Sequence, residues 1–219
     1  IDNLIIEDVN ILYGCTDELA FNFNSEANWD DGSCEYYNGP VWYVSTVGSD
    51  DNIGSEDSPF ASIQKGLSIS NPGDSVLVGP GTYIENINWP AISGIKLIGD
   101  GESECIIDGG QNGTVIRFNS SSIDSSTLIR GFTLQNGLNE DGGGIYMNQS
   151  SPSIEYVTII NNTANFNGGA ITLLYSSPIL KFVTLAYNSS INGTGGIYCG
   201  YYSNPVIINA TITENSTES

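Results

Sequence analysis

Three short stretches in the second half of the chain decide the fold. They read Gly142-Gly143-Gly144-Ile145, Gly168-Gly169-Ala170-Ile171 and Gly193-Thr194-Gly195-Gly196-Ile197, and their isoleucines are 26 residues apart. Other markers recur at 26 or 27 residues: Pro152, Pro178 and Pro205; Thr158, Thr184 and Thr211; Asn162, Asn188 and Asn215. A looser, earlier copy places Thr133 and Asn136 in line with Thr158 and Asn162. A fixed period in the mid-twenties indicates a repeat architecture.

Hydrophobicity within each period alternates with period two, as in Ile145-Tyr146-Met147 and Val157-Thr158-Ile159. Such alternation is typical of short strands, and the Gly, Asn and Ser-Pro positions between them are typical of corners. The sequence therefore predicts an all-β solenoid in which each coil stacks on the last at about 4.8 Å. A β-propeller is the alternative, but it needs about 40 residues per repeat.

Stacked coils place residues one period apart in columns. We predict one inward column of Ile145, Ile171 and Ile197, and a second of Met147, Leu173 and Cys199, which makes Cys199 a buried thiol. The asparagines at 136, 162, 188 and 215 are predicted to form a stack whose side chains hydrogen-bond between coils. The threonines of the repeat are predicted to form an outward or corner ladder.

The segment before the first coils breaks this pattern. In residues 60–70, Ile63, Leu67 and Ser70 recur at helical spacing. We expect one amphipathic helix that covers the apolar N-terminal end of the solenoid.

The first coils resemble a known family. The residues that carry the resemblance are Val41-Trp42-Tyr43-Val44-Ser45-Thr46, Pro59-Phe60-Ala61-Ser62-Ile63-Gln64-Lys65, Gly73-Asp74-Ser75-Val76 and Gly79-Pro80-Gly81-Thr82-Tyr83. They resemble the N-terminal signature of pectate-lyase-like proteins over about residues 41–110, and the repeat continues the likeness to residue 219. The resemblance implies a right-handed parallel β-helix. It does not imply one activity, because this scaffold carries lyases, hydrolases, adhesins and structural proteins.

Cys15 and Cys34 lie close in sequence among polar residues, which fits a disulfide formed in an oxidising compartment. Their surroundings, Gly14-Cys15-Thr16-Asp17 and Asp30-Asp31-Gly32-Ser33-Cys34, resemble a short disulfide-closed repeat of secreted bacterial surface proteins. We divide the chain into a strand or linker (1–14), a disulfide-closed module (15–38) and the β-helix (40–219), with the helical cap at about 60–70.

Clustered carboxylate and amide oxygens before a turn glycine suit calcium, which takes six to eight hard oxygen ligands. In the disulfide-closed module we predict a structural Ca²⁺ held by side chains from among Asp17, Asn22, Asn24, Asp30 and Asp31. Ordinary turn residues on an acidic surface are the alternative. The acidic residues of the segment 50–57 form a weaker second candidate.

Composition excludes several functional classes. The chain has 25 Asp and Glu against five Lys and Arg, a formal net charge of −20, and no His. A nucleic-acid partner is therefore excluded, since phosphates must be neutralised by basic residues. No apolar stretch is long enough for membrane insertion. The absence of His removes the commonest general base.

No catalytic residues are predicted. Resemblance to family lyases implies a Lys or Arg base, and the basic residues are Lys65, Lys96, Arg117, Arg130 and Lys181. Their positions in the repeat show no flanking Asp cluster. The carboxylates Asp108, Asp124, Asp141 and Glu155 are too scattered to nominate the facing pair that a glycosidase needs.

Five tyrosines are predicted to lie outside the β-helix, where they would contact a glycan or a partner: Tyr146, Tyr175, Tyr198, Tyr201 and Tyr202. Tyrosines that simply cover a sheet are the alternative. The first functional hypothesis is a secreted, calcium-stabilised structural or adhesive element of a bacterial surface. A carbohydrate-binding module is the second, and a uronate lyase relative the third.

The two ends suggest self-association. Residues 1–13 are strand-like, and the chain closes in mid-pattern at Thr211-Ile212-Thr213. Either the chain is a fragment, or residues 1–13 of one copy add to the open end of a neighbour and build a head-to-tail filament.

Overall fold

The computed structural model describes residues 11–217. These belong to two compact units, residues 11–38 and residues 39–217. Most of the predicted N-terminal strand, residues 1–10, lies outside the described residues. Within residues 11–217 no helix is long and apolar enough to cross a membrane.

The first unit is built around a disulfide. Strands β1 (Tyr13–Gly14) and β2 (Trp29–Asp30) pair in parallel. Directly after β1, the predicted disulfide joins the buried Cys15 to Cys34. The sulfur link therefore confirms the pairing that the local sequence suggested.

The second unit is a parallel β-solenoid of the right-handed type with about 5 turns. Its elements are β3 (Val41–Val44), α1 (Ile63–Ile69), β4 (Ser75–Val78), β5 (Gly81–Ile84), β6 (Ile87–Asn88), β7 (Lys96–Gly99), β8 (Cys105–Asp108), β9 (Ile116–Asn119), β10 (Leu128–Gln135), β11 (Leu138–Asp141), β12 (Ile145–Asn148), β13 (Ser153–Ile160), β14 (Thr163–Asn167), β15 (Ile171–Leu174), β16 (Ile179–Ala186), β17 (Ser189–Ser190), β18 (Ile197–Gly200), β19 (Val206–Ile208), β20 (Thr211–Thr213) and β21 (Ser216–Thr217).

Three parallel sheets form the walls of the solenoid. The large sheet has the order β19-β16-β13-β10-β7-β4-β3, and β5, β8 and β20 join it beside this path. The middle sheet contains β6, β9, β12, β15 and β18, and the third sheet contains β11, β14, β17 and β21. Every neighbour in a sheet is one coil away in sequence, so the sheets are ladders of equivalent positions.

The predicted inward columns are in register. Ile145 pairs with Ile171 and Ile171 with Ile197, and the Met147, Leu173 and Cys199 column runs beside them. All members from β12 and β15 are fully buried. The prediction that Cys199 is a buried thiol was wrong: this side chain is exposed, because no strand covers β18 on its far side within the described residues.

Three asparagines form the predicted buried ladder. The Asn188 side-chain amide donates to the carbonyls of Ile159 (2.8 Å) and Ala186 (3.0 Å) and to Oδ1 of Asn215 (2.8 Å). Its own Oδ1 accepts from the backbone N–H (3.1 Å) and the side-chain amide (3.0 Å) of Asn162. The side chains therefore satisfy backbone groups of three successive coils inside the wall.

Asn136 does not belong to this ladder, contrary to the prediction. The backbone N–H of Gly137 occupies the equivalent place and donates to Asn162 Oδ1 at 2.8 Å. Asn136 has a left-handed backbone (φ 55°) and donates to Asp108 Oδ2 at 2.7 Å instead. The cause is a coil one residue shorter: Thr133 pairs with Thr158, which places Asn136 one position early. The threonine ladder itself, from Thr158 to Thr211, is in register.

A second ladder consists of serines at one corner of the solenoid, three of which lie two residues before a Pro. The backbone N–H of Ser120 donates to Ser150 Oγ (3.1 Å), that of Ser150 to Ser176 Oγ (3.1 Å) and that of Ser176 to Ser203 Oγ (3.0 Å). This ladder was not predicted, although Ser-Ser-Pro recurs at this corner.

The predicted helix covers the first coils, as α1 packs against β3, β4 and β6. Ile63 and Leu67 are fully buried, and Ser62 caps the N-terminus with an Oγ that accepts from the Lys65 N–H. Two carboxylates satisfy neighbouring amides: Glu85 accepts from the N–H groups of residues 63 and 64, and Asp50 from those of residues 61 and 62. Asp50, from the second acidic segment, therefore has a helix-capping role.

The side chains of the last turn are exposed: Val206, Ile207, Ile208 and Ile212. Head-to-tail association through this end stays a prediction.

Replacing Asn188 with Leu should destabilise the solenoid by about 3 kcal/mol or more, since each buried group left unpaired costs about 1–3 kcal/mol. Urea unfolding followed by far-ultraviolet circular dichroism measures this change. The exposed Asn204, whose side chain lies outside the ladder, is the matched control and should change the free energy of unfolding by less than about 0.5 kcal/mol when replaced with Ala. Equal stabilities for the two variants would contradict the ladder.

Acid stability should depend on Asp124. The hydroxyls of Ser126 and Ser93 lower the pKa of this carboxylate to about 2 from the ordinary 3.8. A carboxylate with a lowered pKa stabilises the fold above its unfolded pKa and loses that contribution as the pH falls through its folded pKa. We expect Asp124→Asn to flatten the decline of the melting temperature between pH 4 and pH 2. The exposed Glu140→Gln is the control, and an unchanged slope in the Asp124 variant would refute the assignment.

Candidate ligand-binding face

The five predicted outward tyrosines lie along one side of the solenoid, here called the tyrosine face (Tyr146, Tyr175, Tyr198, Tyr201, Tyr202). Two of them project from strands of the middle sheet, and three lie at the corner that follows it. The strands alternate inward and outward side chains, so Tyr146 and Tyr198 must point away from the core that Ile145 and Met147 fill. The tyrosines are therefore half-buried or exposed, as predicted.

The outward column of the middle sheet runs through Arg117, Tyr146, Thr172 and Tyr198. The Arg117 guanidinium lies 4.4 Å from the centroid of the Tyr146 ring. The predicted tyrosines are not neighbours here, because the buried Thr172 lies between them and donates to the Asn167 carbonyl at 2.8 Å. The column therefore presents two separate tyrosine rings with the polar Thr172 between them.

A pair of amides borders this column. Asn148 Nδ2 donates to Asn119 Oδ1 at 3.0 Å; the Asn119 side chain is exposed and that of Asn148 is half-buried. The 26-residue period could not find this pair, since the partners are 29 residues apart. The longer connection between β9 and β10 causes the difference.

At the following corner Tyr175 and Tyr201 stack on each other. Their ring centroids are 5.1 Å apart and the ring planes differ by 15°. Both residues have a left-handed backbone, with φ of 51° and 48°. That conformation costs roughly 1–2 kcal/mol for a side chain with a Cβ, and stacking of two rings returns about 0.5–1.5 kcal/mol. The stack therefore offsets part of the strain at the corner.

Stacking also decides which ring surfaces a ligand could reach. One face of Tyr175 is covered by Tyr201, and Arg117 covers one face of Tyr146. Tyr201 is 61% exposed and Tyr202 is 97% exposed. These two adjacent rings are the parts of the tyrosine face best placed for contact with another molecule.

A second aromatic corner lies on the large sheet and was missed in the sequence. Tyr156 and Phe182 stack at 4.7 Å with 12° between the ring planes, and the Arg130 guanidinium lies 4.8 Å from the Tyr156 centroid. Both residues again have a left-handed backbone conformation. Sequence offers little signal for such corners, because bulky residues rarely adopt this conformation.

The five residues predicted to bind calcium are engaged with the polypeptide. Backbone N–H groups donate to Oδ1 of Asp17, Asn22, Asn24, Asp30 and Asp31 at 2.8–3.0 Å. The Tyr36 hydroxyl donates to the other oxygen of Asp17, and together these bonds lower the pKa of that carboxyl. Among residues 11–217 no group of three or more His, Cys, Asp or Glu side chains could hold a metal ion. The structure thus shows turn-forming hydrogen bonds rather than a formed cage, and calcium binding stays a prediction.

The basic residues named as candidate lyase bases are dispersed. Lys181 pairs with Glu155 at 3.0 Å, Lys65 lies 5.7 Å from the Phe60 centroid, and the two arginines pack on tyrosines. Lys96 is exposed on the large sheet.

The chain matches one sequence family and is similar to two solved structures. Residues 46–217 match the sequence profile of a family described as "Protein of unknown function (DUF1565)". "Pectin methylesterase PemA from Erwinia chrysanthemi" is similar in structure at 12% identity and a TM-score of 0.47, with 81% of this chain and 66% of that chain covered. "Rhamnogalacturonan lyase" is similar at 15% identity and a TM-score of 0.46, with 81% and 58% covered. This chain thus spans less than two thirds of either protein. No curated protein is significantly similar in sequence.

If the first unit binds calcium, removal of the cation should lower its thermal stability. A cation that binds only the folded state stabilises it by RT ln(1 + c/Kd), where c is the free cation concentration, so chelation with EDTA at low salt should lower the melting temperature by several degrees. Differential scanning calorimetry with and without added CaCl₂ measures this shift. The variant Asp30→Asn with Asp31→Asn should no longer respond to calcium. Identical melting curves with chelator and with calcium would show that the turns need no metal.

Proposed function

The chain belongs to the DUF1565 family, and we propose that it is an extracellular adhesive β-solenoid that binds polysaccharide through its tyrosine face. The observation that carries the proposal is the exposed pair Tyr201 and Tyr202 beside the outward tyrosines of the middle sheet. This proposal combines two of the functional hypotheses, the adhesive element and the carbohydrate-binding module.

The chemistry of the face suits sugars. An exposed tyrosine ring offers an apolar surface to the C–H groups of a sugar, and its hydroxyl offers a hydrogen bond. The Asn119–Asn148 pair adds amide donors and acceptors nearby, one position before the Tyr175 corner, since Asn148 is the register partner of Leu174. Neutral sugars suit the surface best, since a chain with a net charge of −20 repels polyanions.

The buried ladders favour this role by fixing the face before a ligand arrives. Asparagine and serine side chains hold successive coils in register, so the outward columns have a fixed spacing of about 4.8 Å per coil. A preorganised surface loses little conformational entropy on binding. A long polysaccharide would also contact equivalent outward positions on several successive coils.

An extracellular location is supported by the disulfide between Cys15 and Cys34, since disulfides persist in oxidising compartments. A structural calcium ion in the first unit and a location at a bacterial surface are parts of the same proposal.

Removing both exposed rings should weaken polysaccharide binding. For Tyr201→Ala with Tyr202→Ala we expect a loss of affinity of about fivefold or more, because two ring contacts of about 0.5–1.5 kcal/mol each disappear. The measurement is a screen on arrays of neutral and acidic cell-wall polysaccharides, followed by titration calorimetry with the best soluble polysaccharide.

Tyr187→Ala is the matched control. Tyr187 is exposed to 58% and has the same left-handed backbone, but it lies at a different corner. Its variant should bind as the wild type does. The proposal fails if the array shows no binding, or if the control loses as much affinity as the double variant.

A further inference from the structure

A groove crosses the solvent face of the first coils, away from the tyrosine face. Its volume is about 530 Å³, and its lining includes Tyr43, Val47, Glu56, Pro59, Leu77 and Asp100. Strands β3 and β4 form the floor, and the segment 46–59 forms one wall. This wall includes the acidic segment 50–57, the weaker of the two calcium candidates.

The floor of the groove is apolar although it faces water. Tyr43 and Leu77 are register partners on the outer side of the large sheet, and both are half-buried. Val47 at the edge is 90% exposed. An apolar strip of this kind on a strongly acidic protein favours contact with apolar groups of another molecule.

The wall is held in place before any ligand binds. The Tyr43 N–H donates to the Gly54 carbonyl (2.9 Å), and the Ser49 N–H donates to the Pro59 carbonyl (3.1 Å). Asn52 Nδ2 donates to the same Pro59 carbonyl at 2.8 Å. The groove is thus a formed concave surface.

Carboxylates border the apolar floor. Glu56 and Asp100 are both exposed. A second hollow of about 360 Å³ shares Asp100 and adds Glu102 and Arg130. Arg130, which packs on Tyr156, is the one cation in the two linings, and it marks the end of the groove that a positively charged group would avoid.

We propose that this groove binds a short extended segment of a basic polypeptide. Its apolar side chains contact Tyr43, Leu77 and Val47, and its Lys or Arg side chains pair with Glu56 and Asp100. In an extended peptide alternate residues point the same way and are about 6.6 Å apart, so the apolar residues can all face the floor. The basic residues then lie on the other side, and their long flexible stems let the charged groups bend back to the carboxylates of the rim. The net charge of −20 attracts such a segment from a distance.

The test uses the full chain and three peptides of nine residues with blocked ends. They alternate Lys with Leu, Lys with Ser, and Glu with Leu. Fluorescence anisotropy at 0.15 M NaCl measures their affinities. We expect the Lys–Leu peptide to bind at least tenfold more tightly than the Lys–Ser peptide, and the Glu–Leu peptide not to bind.

Two variants with the same net charge separate the groove from general attraction. Glu56→Gln with Asp100→Asn should lower the affinity for the Lys–Leu peptide at least tenfold. Glu140→Gln with Glu214→Gln removes two exposed carboxylates outside the groove and should change the affinity by less than twofold. The side chains of Glu56 and Asp100 are exposed, so both variants should fold.

Three outcomes would overturn the proposal. Equal losses in the two variants would mean diffuse electrostatic attraction. Equal binding of the Lys–Leu and Lys–Ser peptides would mean that the floor is not used. Displacement of the Lys–Leu peptide by a polysaccharide from the array would assign the groove to sugars. The variant that lacks Tyr201 and Tyr202 should bind the peptide normally, which makes this test independent of the proposed function.

Discussion

The structure depends on the in-register stacking of parallel coils through the buried asparagine ladder. Asn188 connects its own coil to those before and after it with bonds of 2.8–3.1 Å. A buried amide that satisfies three coils at once tolerates no slip, because a shift of one residue would leave several polar groups unpaired inside the wall. Register is therefore fixed from within, and every outward column takes its place from it.

The outer surface follows from this constraint. Because equivalent positions repeat at each coil, two aromatic residues one coil apart can stack at a corner, as in Tyr175 with Tyr201 and Tyr156 with Phe182. The two stacks lie at different corners of the solenoid. The Tyr175–Tyr201 stack borders the face proposed to bind polysaccharide. The Tyr156–Phe182 stack borders the hollow that shares Asp100 with the groove on β3 and β4. A rigid interior thus supports two surfaces of different chemistry.

The sequence predicted the repeat, the inward isoleucine column, the helix and the disulfide, because each leaves a local mark: a period, an alternation, a helical spacing, a nearby pair of cysteines. It failed where the period changes. Asn136 was placed in the ladder because one coil is a residue shorter, and the Asn119–Asn148 pair was missed because another connection is longer. The prediction that Cys199 is buried was wrong because a column of equivalent positions in the sequence does not show which strand is the last of the sheet. The groove could not be predicted, since it depends on how the segment 46–59 lies beside the sheet.

Hydrogen exchange of side-chain amides tests the central claim most directly. In a uniformly ¹⁵N-labelled sample, the side-chain NH₂ groups of Asn162 and Asn188 should exchange with solvent only through global unfolding, at rates at least a thousandfold below that of the exposed Asn204. Exchange of these buried amides at the rate of Asn204 would mean that the ladder does not hold the coils in register.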